Sequence, residues 1–380
     1  MARQHAAAPL AGRPEPGQKL RVGIASAHFH LHSNWKIPIK GWLSQLDRSR
    51  FELFGYHLGT THDAETEVAA ELCDRFVQRP LDADGWRREI LGDALHVLIY
   101  PGLLMDSISI QLAAQRLAPV QATSWGHPET SGLATIDYFL SSDLMEPMDA
   151  DSHYTEKLVR LPNLSIYYEP VAAQPVAVTR QELGLRTDAA VFWCGQSLYK
   201  YLPQHDRVFA RIAKAAPHSQ FVFVRHHGGS RVTELFQERL ERTFAVEGLK
   251  SADHCVMLDR MGQNKFIAAI GRCDVFLDSL EWSGCNSALE SLANDLPVVT
   301  LPGALMRGRH SAAILRMMGV TETIATDVED YIAIAARLAN APEERMALRK
   351  RMAENKAKIY RDRSVITALE DFLKRAGRSN

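Results

Sequence analysis

Between residues 274 and 301 the chain reads DVFLDSLEWSGCNSALESLANDLPVVTL. Two short apolar runs, 274–278 and 296–301, bracket a polar turn of small residues, EWSGCN at 281–286, and a segment with helical spacing from about 287 to 294. Ala288, Leu289, Leu292 and Ala293 share one face of that helix. A strand, a small-residue turn, a helix and a second strand in so few residues form one α/β crossover and argue for a parallel sheet. The start of such a helix presents unpaired backbone N–H groups and the positive end of its dipole to an anion, typically a phosphate. Glu290, one turn further on, is placed to reach ribose hydroxyls. The same stretch also reads as an ordinary crossover with a capped helix, so the decision rests on the rest of the chain.

The rest of the chain repeats the pattern twice over. LRVGIASA at 20–27 is a compact strand, followed by a turn with three alternate histidines, His28, His30 and His32, and an amphipathic helix to about Leu46. Strands at 51–58, 75–78, 95–100, 119–125, 136–140 and 157–161 alternate with helices near 64–72, 84–92 and 107–116. Residues 169–179 carry two prolines and no helical period, which makes them the linker. A second alternation follows, with strands at 189–194, 220–225, 254–258, 274–278, 296–301 and 323–325. Its helices are expected at 206–215, 232–247, 264–270, 287–294, 306–318 and 328–340. A charged helical pattern, 343–374, closes the chain and reads as a brace across two domains. The fold expected is therefore α/β, with two Rossmann-like domains facing a cleft. Their spans are 19–168 and 180–342, with a leader at 1–18 and a long C-terminal helix at 343–380.

Composition narrows the function. The 380 residues carry a net charge of −1, so no global field draws nucleic acid or an anionic membrane. Five cysteines lie singly with no CxxC pair, which points to a reducing compartment and against a disulfide framework. No apolar run reaches the roughly 18 residues of a membrane span, and residues 1–18 lack the apolar core of a signal peptide and read as a disordered leader. The first strand is not followed by GxGxxG and no GxxxxGK[ST] occurs, which counts against a dinucleotide oxidoreductase and P-loop chemistry. HxHxH is a spacing that metals use, but nearby carboxylates are few and no second cluster complements it, so no metal is expected.

Five segments in collinear order carry a resemblance: RVGIASAHFHLHS at 21–33, LAPVQATSWGHPETSG at 117–132, FWCGQSLYK at 192–200, CDVFLDSLEWSGCNSALESLANDLPVVTLPG at 273–303 and RGRHSAAIL at 307–315. Together they resemble the catalytic region of the O-linked N-acetylglucosamine transferases and their bacterial homologues, and also the adhesin-type N-glycosyltransferases. The resemblance implies a GT-B architecture and an inverting, metal-independent transfer from a UDP-sugar to a protein. It implies no cofactor, the sugar nucleotide being a substrate, and a cytoplasmic location.

It also implies site residues. Lys200 matches the family's diphosphate lysine, a cation aimed at the charge that develops on the leaving group. His32 matches a histidine near the reacting groups and would act as base, proton relay or positioning group. Cys285, Asn286 and Ser287 would meet the phosphates, Glu290 the ribose, and Gln196 and Ser197 the donor. Trp125, Gly126 and His127 would line the sugar pocket, and Arg260 and Met261 the uracil edge. Phe266 sits roughly where the family stacks an imidazole on uracil, and reads equally as a core residue on an Ala/Ile helix. Two departures leave the donor and acceptor atom open: Cys285-Asn286-Ser287 replaces the His-Thr-Thr of the eukaryotic enzymes, and 100–106 with Gly126-His127-Pro128 look closer to the N-glycosyltransferases. The expected reaction is transfer of N-acetylglucosamine to Ser or Thr of a protein. The alternatives are glucose or galactose transfer to Asn, or a non-catalytic UDP-sugar-binding scaffold. The tandem helical repeats that usually precede this region are absent, so a repeat-containing partner is a candidate for recruiting the acceptor.

Overall fold

The structure, a computed structural model, describes residues 10–170, 174 and 176–378. Residues 1–9 of the expected leader, and 171–173 and 175 of the expected linker, lie outside the described residues. The chain forms two compact units: one runs to Glu169 and resumes at Arg361, and the other is Pro170–Tyr360.

The first unit is a seven-stranded, all-parallel sheet. Its strands are β1 (Leu20–Ser26), β2 (Phe51–His57), β3 (Arg75–Gln78), β4 (Val97–Tyr100), β5 (Val120–Ser124), β6 (Tyr138–Ser142) and β7 (Lys157–Leu161), in the order β3-β2-β1-β4-β5-β6-β7. β1 pairs from Leu20 with Phe51 to Ser26 with His57 on one side, and from Val22 with Val97 on the other. The order therefore reverses between β1 and β4, which is where an open α/β sheet binds ligands at its carboxyl edge. The helices here are α1 (Lys40–Gln45), α2 (Ala64–Glu71), α3 (Ala83–Gly92) and α4 (Ser107–Ala113). The helix expected after the histidine turn begins differently: a π-helical turn, Trp35–Ile39, precedes α1. Pro38 lies inside it; a ring there has no N–H to give and crowds the preceding turn, and wider π-type bonding accommodates both.

The second unit holds β8 (Ala190–Cys194), β9 (Ser219–Val224), β10 (Cys255–Leu258), β11 (Val275–Leu277) and β12 (Val298–Val299), parallel and ordered β10-β9-β8-β11-β12. Here the order reverses between β8 and β11. β8, AVFWC, is buried at every position, the near-continuous apolar run of a strand covered on both faces. Helices α5 (Arg207–Ala215), α6 (Ser230–Val246), α7 (Gln263–Ile270), α8 (Asn286–Ala293), α9 (His310–Met318), α10 (Val328–Asn340) and α11 (Pro342–Asn355) complete it. The strand expected at 323–325 is reduced to a single bridge between Thr300 and Ile324.

The closing segment is not one helix. α11 ends in a short 3-10 turn, Lys356–Ile359, and Arg361 takes a left-handed φ of 55° before α12 (Arg363–Arg378) begins. The two helices serve different cores. α11 buries only Leu348 and Met352, whereas α12 buries Val365, Ile366, Leu369, Phe372, Leu373 and Ala376. That stripe packs with Leu20, Val22, Ile24, Trp42 and Val97 on one face of the first sheet. The opposite face is covered through Trp86, Ile90, Leu112 and Tyr100. Each such buried large side chain contributes about 1.5–3 kcal/mol, so α12 is an integral layer of the first unit. Among the described residues no helix is long and apolar enough to cross a membrane.

Candidate functional site

In the second unit the candidate residues gather at the carboxyl edge of β8 and β11, and one carboxylate organises them. Asp278, the residue after β11, is 2% exposed. Its Oδ1 accepts Gln196 Nε2 at 2.8 Å and the Gly284 N–H at 2.8 Å, and its Oδ2 accepts Ser283 Oγ at 2.6 Å and Thr300 Oγ1 at 2.8 Å. Its own carbonyl accepts the Tyr331 hydroxyl at 2.6 Å. Burial pushes the Asp278 carboxyl up, against the pull of these donors. The loop after β8, the turn 278–286 and the end of β12 are thereby held on one side chain. Ser311, at the start of α9, tightens the turn further: its N–H donates to Ser283 Oγ at 2.9 Å and its hydroxyl to the Gly284 carbonyl at 3.0 Å. Glu281 is held at φ 65°, a left-handed conformation rare outside glycine. Gly284 is needed for space, since a Cβ there would lie 2.2 Å from Ser287 Oγ and 3.1 Å from Gln196 Nε2.

What the turn delivers is the N-terminus of α8. Cys285 occupies the cap position and makes no side-chain capping bond, so among the described residues it leaves the first-turn N–H groups without a side-chain cap. Asn286 Oδ1 is buried and unpartnered beside them. Glu290 lies on the next turn, 5% exposed. Lys200, at the end of the 3-10 turn Leu198–Lys200 that follows β8, is half-buried. Its Nζ lies 5.8 Å from the centre of the Trp282 ring, with the Arg307 guanidinium 5.6 Å from the same ring. Among the described residues Lys200 has no ion-pair partner. Burial lowers its pKa, while Asp278 and Cys285 pull the other way. Burial also pushes the Cys285 thiol up to about 12, with Lys200 opposing, and holds His310 down to about 3, with Lys200 adding to the effect. The arrangement is an uncapped helix start beside an ammonium group that forms no ion pair among the described residues, which suits a ligand of negative charge.

The other donor-side residues divide. The Gln196 amide is spent inside the protein, on Asp278, Ser279 and the Tyr201 hydroxyl, so it builds the turn. Ser197 is exposed, and its carbonyl accepts the Lys200 N–H at 2.9 Å. Arg260 and Met261 lie in the loop after β10, exposed and half-buried respectively. Phe266, on α7, is half-buried and packs at 75° to Trp193 with centres 5.2 Å apart.

In the first unit the candidates follow β1 and β5. His28 and His32 stack face to face, 4.0 Å apart and 13° from parallel. His30 lies 5.6 Å from His32 and stacks on His57 of β2 at 6.0 Å. The imidazoles stack rather than converge, and among the described residues no three His, Cys, Asp or Glu side chains are arranged to hold a metal ion. Asn34, 4% exposed, ties three turns together: a Cβ on Gly102 would meet its Nδ2 at 2.1 Å, and one on Gly126 its Oδ1 at 2.6 Å. Only glycines let the turns after β4 and β5 close on it. Trp125 is 5% exposed and its indole N–H donates to Ser165 Oγ, so this ring anchors the loop that carries Gly126 and His127. Sequence pattern alone does not single out Asp278, Trp282 or His310. Their visible signals were a carboxylate closing an apolar strand, an aromatic in a small-residue turn, and a histidine at the start of α9.

The family model described as glycosyl transferase family 41 matches residues 10–168 and 164–366. A probable UDP-N-acetylglucosamine–peptide N-acetylglucosaminyltransferase, SPINDLY, of Petunia hybrida is 26% identical over 90% of this chain and 37% of its own length. The UDP-glucose:protein N-beta-glucosyltransferase of Actinobacillus pleuropneumoniae is 24% identical over 68% of this chain and 40% of its own. The chain thus spans little more than a third of the length of these curated relatives. Among solved structures, a mutant of the Thermobaculum terrenum O-GlcNAc transferase superposes with a TM-score of 0.85 at 26% identity, covering 97% of this chain and 70% of that one. The HepE protein of Anabaena, solved with UDP, shares the fold with a TM-score of 0.59 at 10% identity. The two-unit, parallel α/β architecture is GT-B, and the chain belongs to glycosyl transferase family 41.

Proposed function

We propose that the chain is a UDP-sugar-dependent protein glycosyltransferase that inverts the anomeric centre without a metal. The favoured transfer is N-acetylglucosamine to Ser or Thr. The observation that carries this reading is the uncapped start of α8 beside Lys200, at the strand-order reversal of the second sheet. As the acceptor oxygen attacks, the bond to the diphosphate breaks and negative charge builds on the leaving oxygens. Lys200 Nζ and the N–H groups of Asn286 and Ser287 are preorganised donors for that charge, which is where electrostatic catalysis has its largest effect. Glu290 serves the ribose hydroxyls, Phe266 with Arg260 and Met261 the uracil, and Gly126 and His127 the sugar. Ser197 supports the loop that carries Lys200. Protein acceptors are supported by the names of the relatives, and a reducing, cytoplasmic setting by five free cysteines.

The test is UDP release with a pool of peptides in excess EDTA. Retained turnover is expected; strict dependence on Mn²⁺ would overturn the metal-independent mechanism, and UDP binding with no transfer to any protein of a lysate would favour a non-catalytic scaffold. The N-glucosyltransferase relative favours a second reading, glucose or galactose transfer to Asn. Mass spectrometry of the product peptide before and after β-elimination separates the two, since only the O-link is released.

A further inference from the structure

We propose that His32 acts as a neutral hydrogen-bond donor through Nε2–H rather than as a proton acceptor, and that His28, stacked on its face, is the positioning residue that holds it so. The proposal rests on the reading of the chain as a glycosyltransferase and assigns the role of one of its residues. Its first support is a hydrogen bond. His32 Nδ1 accepts the backbone N–H of Asn34 at 3.1 Å. A backbone amide can only donate, so Nδ1 presents its lone pair and the neutral ring carries its proton on Nε2. A base working at Nε2 needs the opposite tautomer, which would set two N–H groups against each other at Nδ1.

His57 provides an internal comparison. Its Nδ1 accepts the Gly59 N–H at 3.2 Å, and its Nε2 faces the Thr61 carbonyl at 2.7 Å. This is the same tautomer with its donor consumed inside the protein. His32 repeats the first half of the pattern, but among the described residues no acceptor is hydrogen-bonded to its Nε2. That donor is left for a group from outside, such as an oxygen of the sugar or of the acceptor.

The second support is the stack. His28 covers one face of His32 at 4.0 Å, and both ring nitrogens of His28 are buried without a hydrogen-bond partner. A charge on either ring would face the other imidazole at contact distance with no carboxylate bonded to it. The neighbouring elements add to this. His30 and Lys36 act on His32, and His30 and His57 on His28, each against charge; Asp106, the cap of α4, favours charge on His28. Burial, then His28, His30 and Lys36, hold His32 down to about 3, and burial holds His28 down to about 4. No proton moves to or from His32 during transfer; the acceptor's proton leaves to another group or to water.

The experiment begins without substrate. Long-range ¹H–¹⁵N correlation spectra of the full chain labelled at histidine, with His32 assigned by His32→Gln, are recorded from pH 5 to 8. The expected pattern is a neutral Nε2–H tautomer that does not titrate across this range. An Nδ1–H pattern, or a midpoint inside the range, would overturn the proposal while leaving the glycosyltransferase reading intact. Conversely, wild-type protein with no transferase activity would sink that reading and leave the tautomer as measured. Kinetics supplies the second arm. Gln donates through its amide but takes up no proton, so His32→Gln is expected to keep turnover within about tenfold of wild type while His32→Ala loses about 100-fold. Equal loss in both overturns the donor role. His28→Ala is expected to raise the His32 midpoint into the observed range and bring a matching limb into the pH–rate profile, and His28→Phe, which preserves a flat stacked ring, to do neither. An unchanged midpoint in His28→Ala removes His28 from the proposal.

Discussion

Lys200 and Asp278 are opposite charges that cooperate without pairing. Asp278 is saturated by its own donors, while burial lowers the Lys200 pKa and Asp278 opposes that shift; in the proposed mechanism the Lys200 charge serves the leaving diphosphate. Lys200→Ala is expected to lower the rate of UDP release by about 100- to 1000-fold, the loss typical of one preorganised donor to developing charge. Initial rates with unchanged thermal unfolding would locate the defect in chemistry, and wild-type turnover would remove Lys200 from the mechanism. Asp278→Ala belongs to stability instead. It leaves Gln196, Ser283, Gly284 and Thr300 donors buried without acceptors, at a cost of about 3 kcal/mol or more. Urea unfolding measures this, and a loss below about 1 kcal/mol would deny Asp278 its organising place. The place of Lys200 just after a strand was legible in the sequence, and the role proposed for it comes from the resemblance of the SLYK segment. Asp278 was legible only as the end of a strand, because Gln196 and Thr300, partners it meets through folding, lie 82 and 22 residues away.

Among the elements, the start of α8 depends on a turn with no room to spare. Gly284→Ala puts a methyl group against Ser287 Oγ and the Gln196 amide. It is expected to displace the helix start and weaken UDP binding by at least about tenfold, measured by calorimetry. An unchanged affinity would mean that the first turn of α8 is not the phosphate site. The strands and the crossover helix were readable from local pattern: 287–294 was expected and Asn286–Ala293 is found. The failures have local causes of another kind. Pro38 sits inside helical spacing and turns one stretch into a π-helical turn. Across 343–374 a uniformly charged pattern hides a change of partner core, which only the buried stripe of α12 reveals.

For the molecule as a whole, buried neutral histidines make stability depend on pH. An unfolded imidazole takes up a proton near 6.5, whereas burial, with the charges around each ring, delays this to about 3 at His310 and about 4 at His96. Between those values the unfolded chain binds more protons, so stability is full above about pH 6.5 and is lost as the pH falls, by up to about 1.4 kcal/mol per pH unit for each group. Urea midpoints from pH 7.5 to 5 should fall accordingly and fall less steeply in His96→Gln; a flat profile would contradict the depressed values. The order of the parts along the chain has a consequence during synthesis. The first unit closes one sheet face with α12, yet all of the second unit, Pro170–Tyr360, is translated between that sheet and this helix. At about 5–20 residues per second, the apolar face formed by Val22, Ile24, Trp42 and Val97 waits on the order of ten to forty seconds for its cover. The second unit, by contrast, is continuous in sequence from Pro170 to Tyr360, so among the described residues its own layers are all in hand before α12 is made.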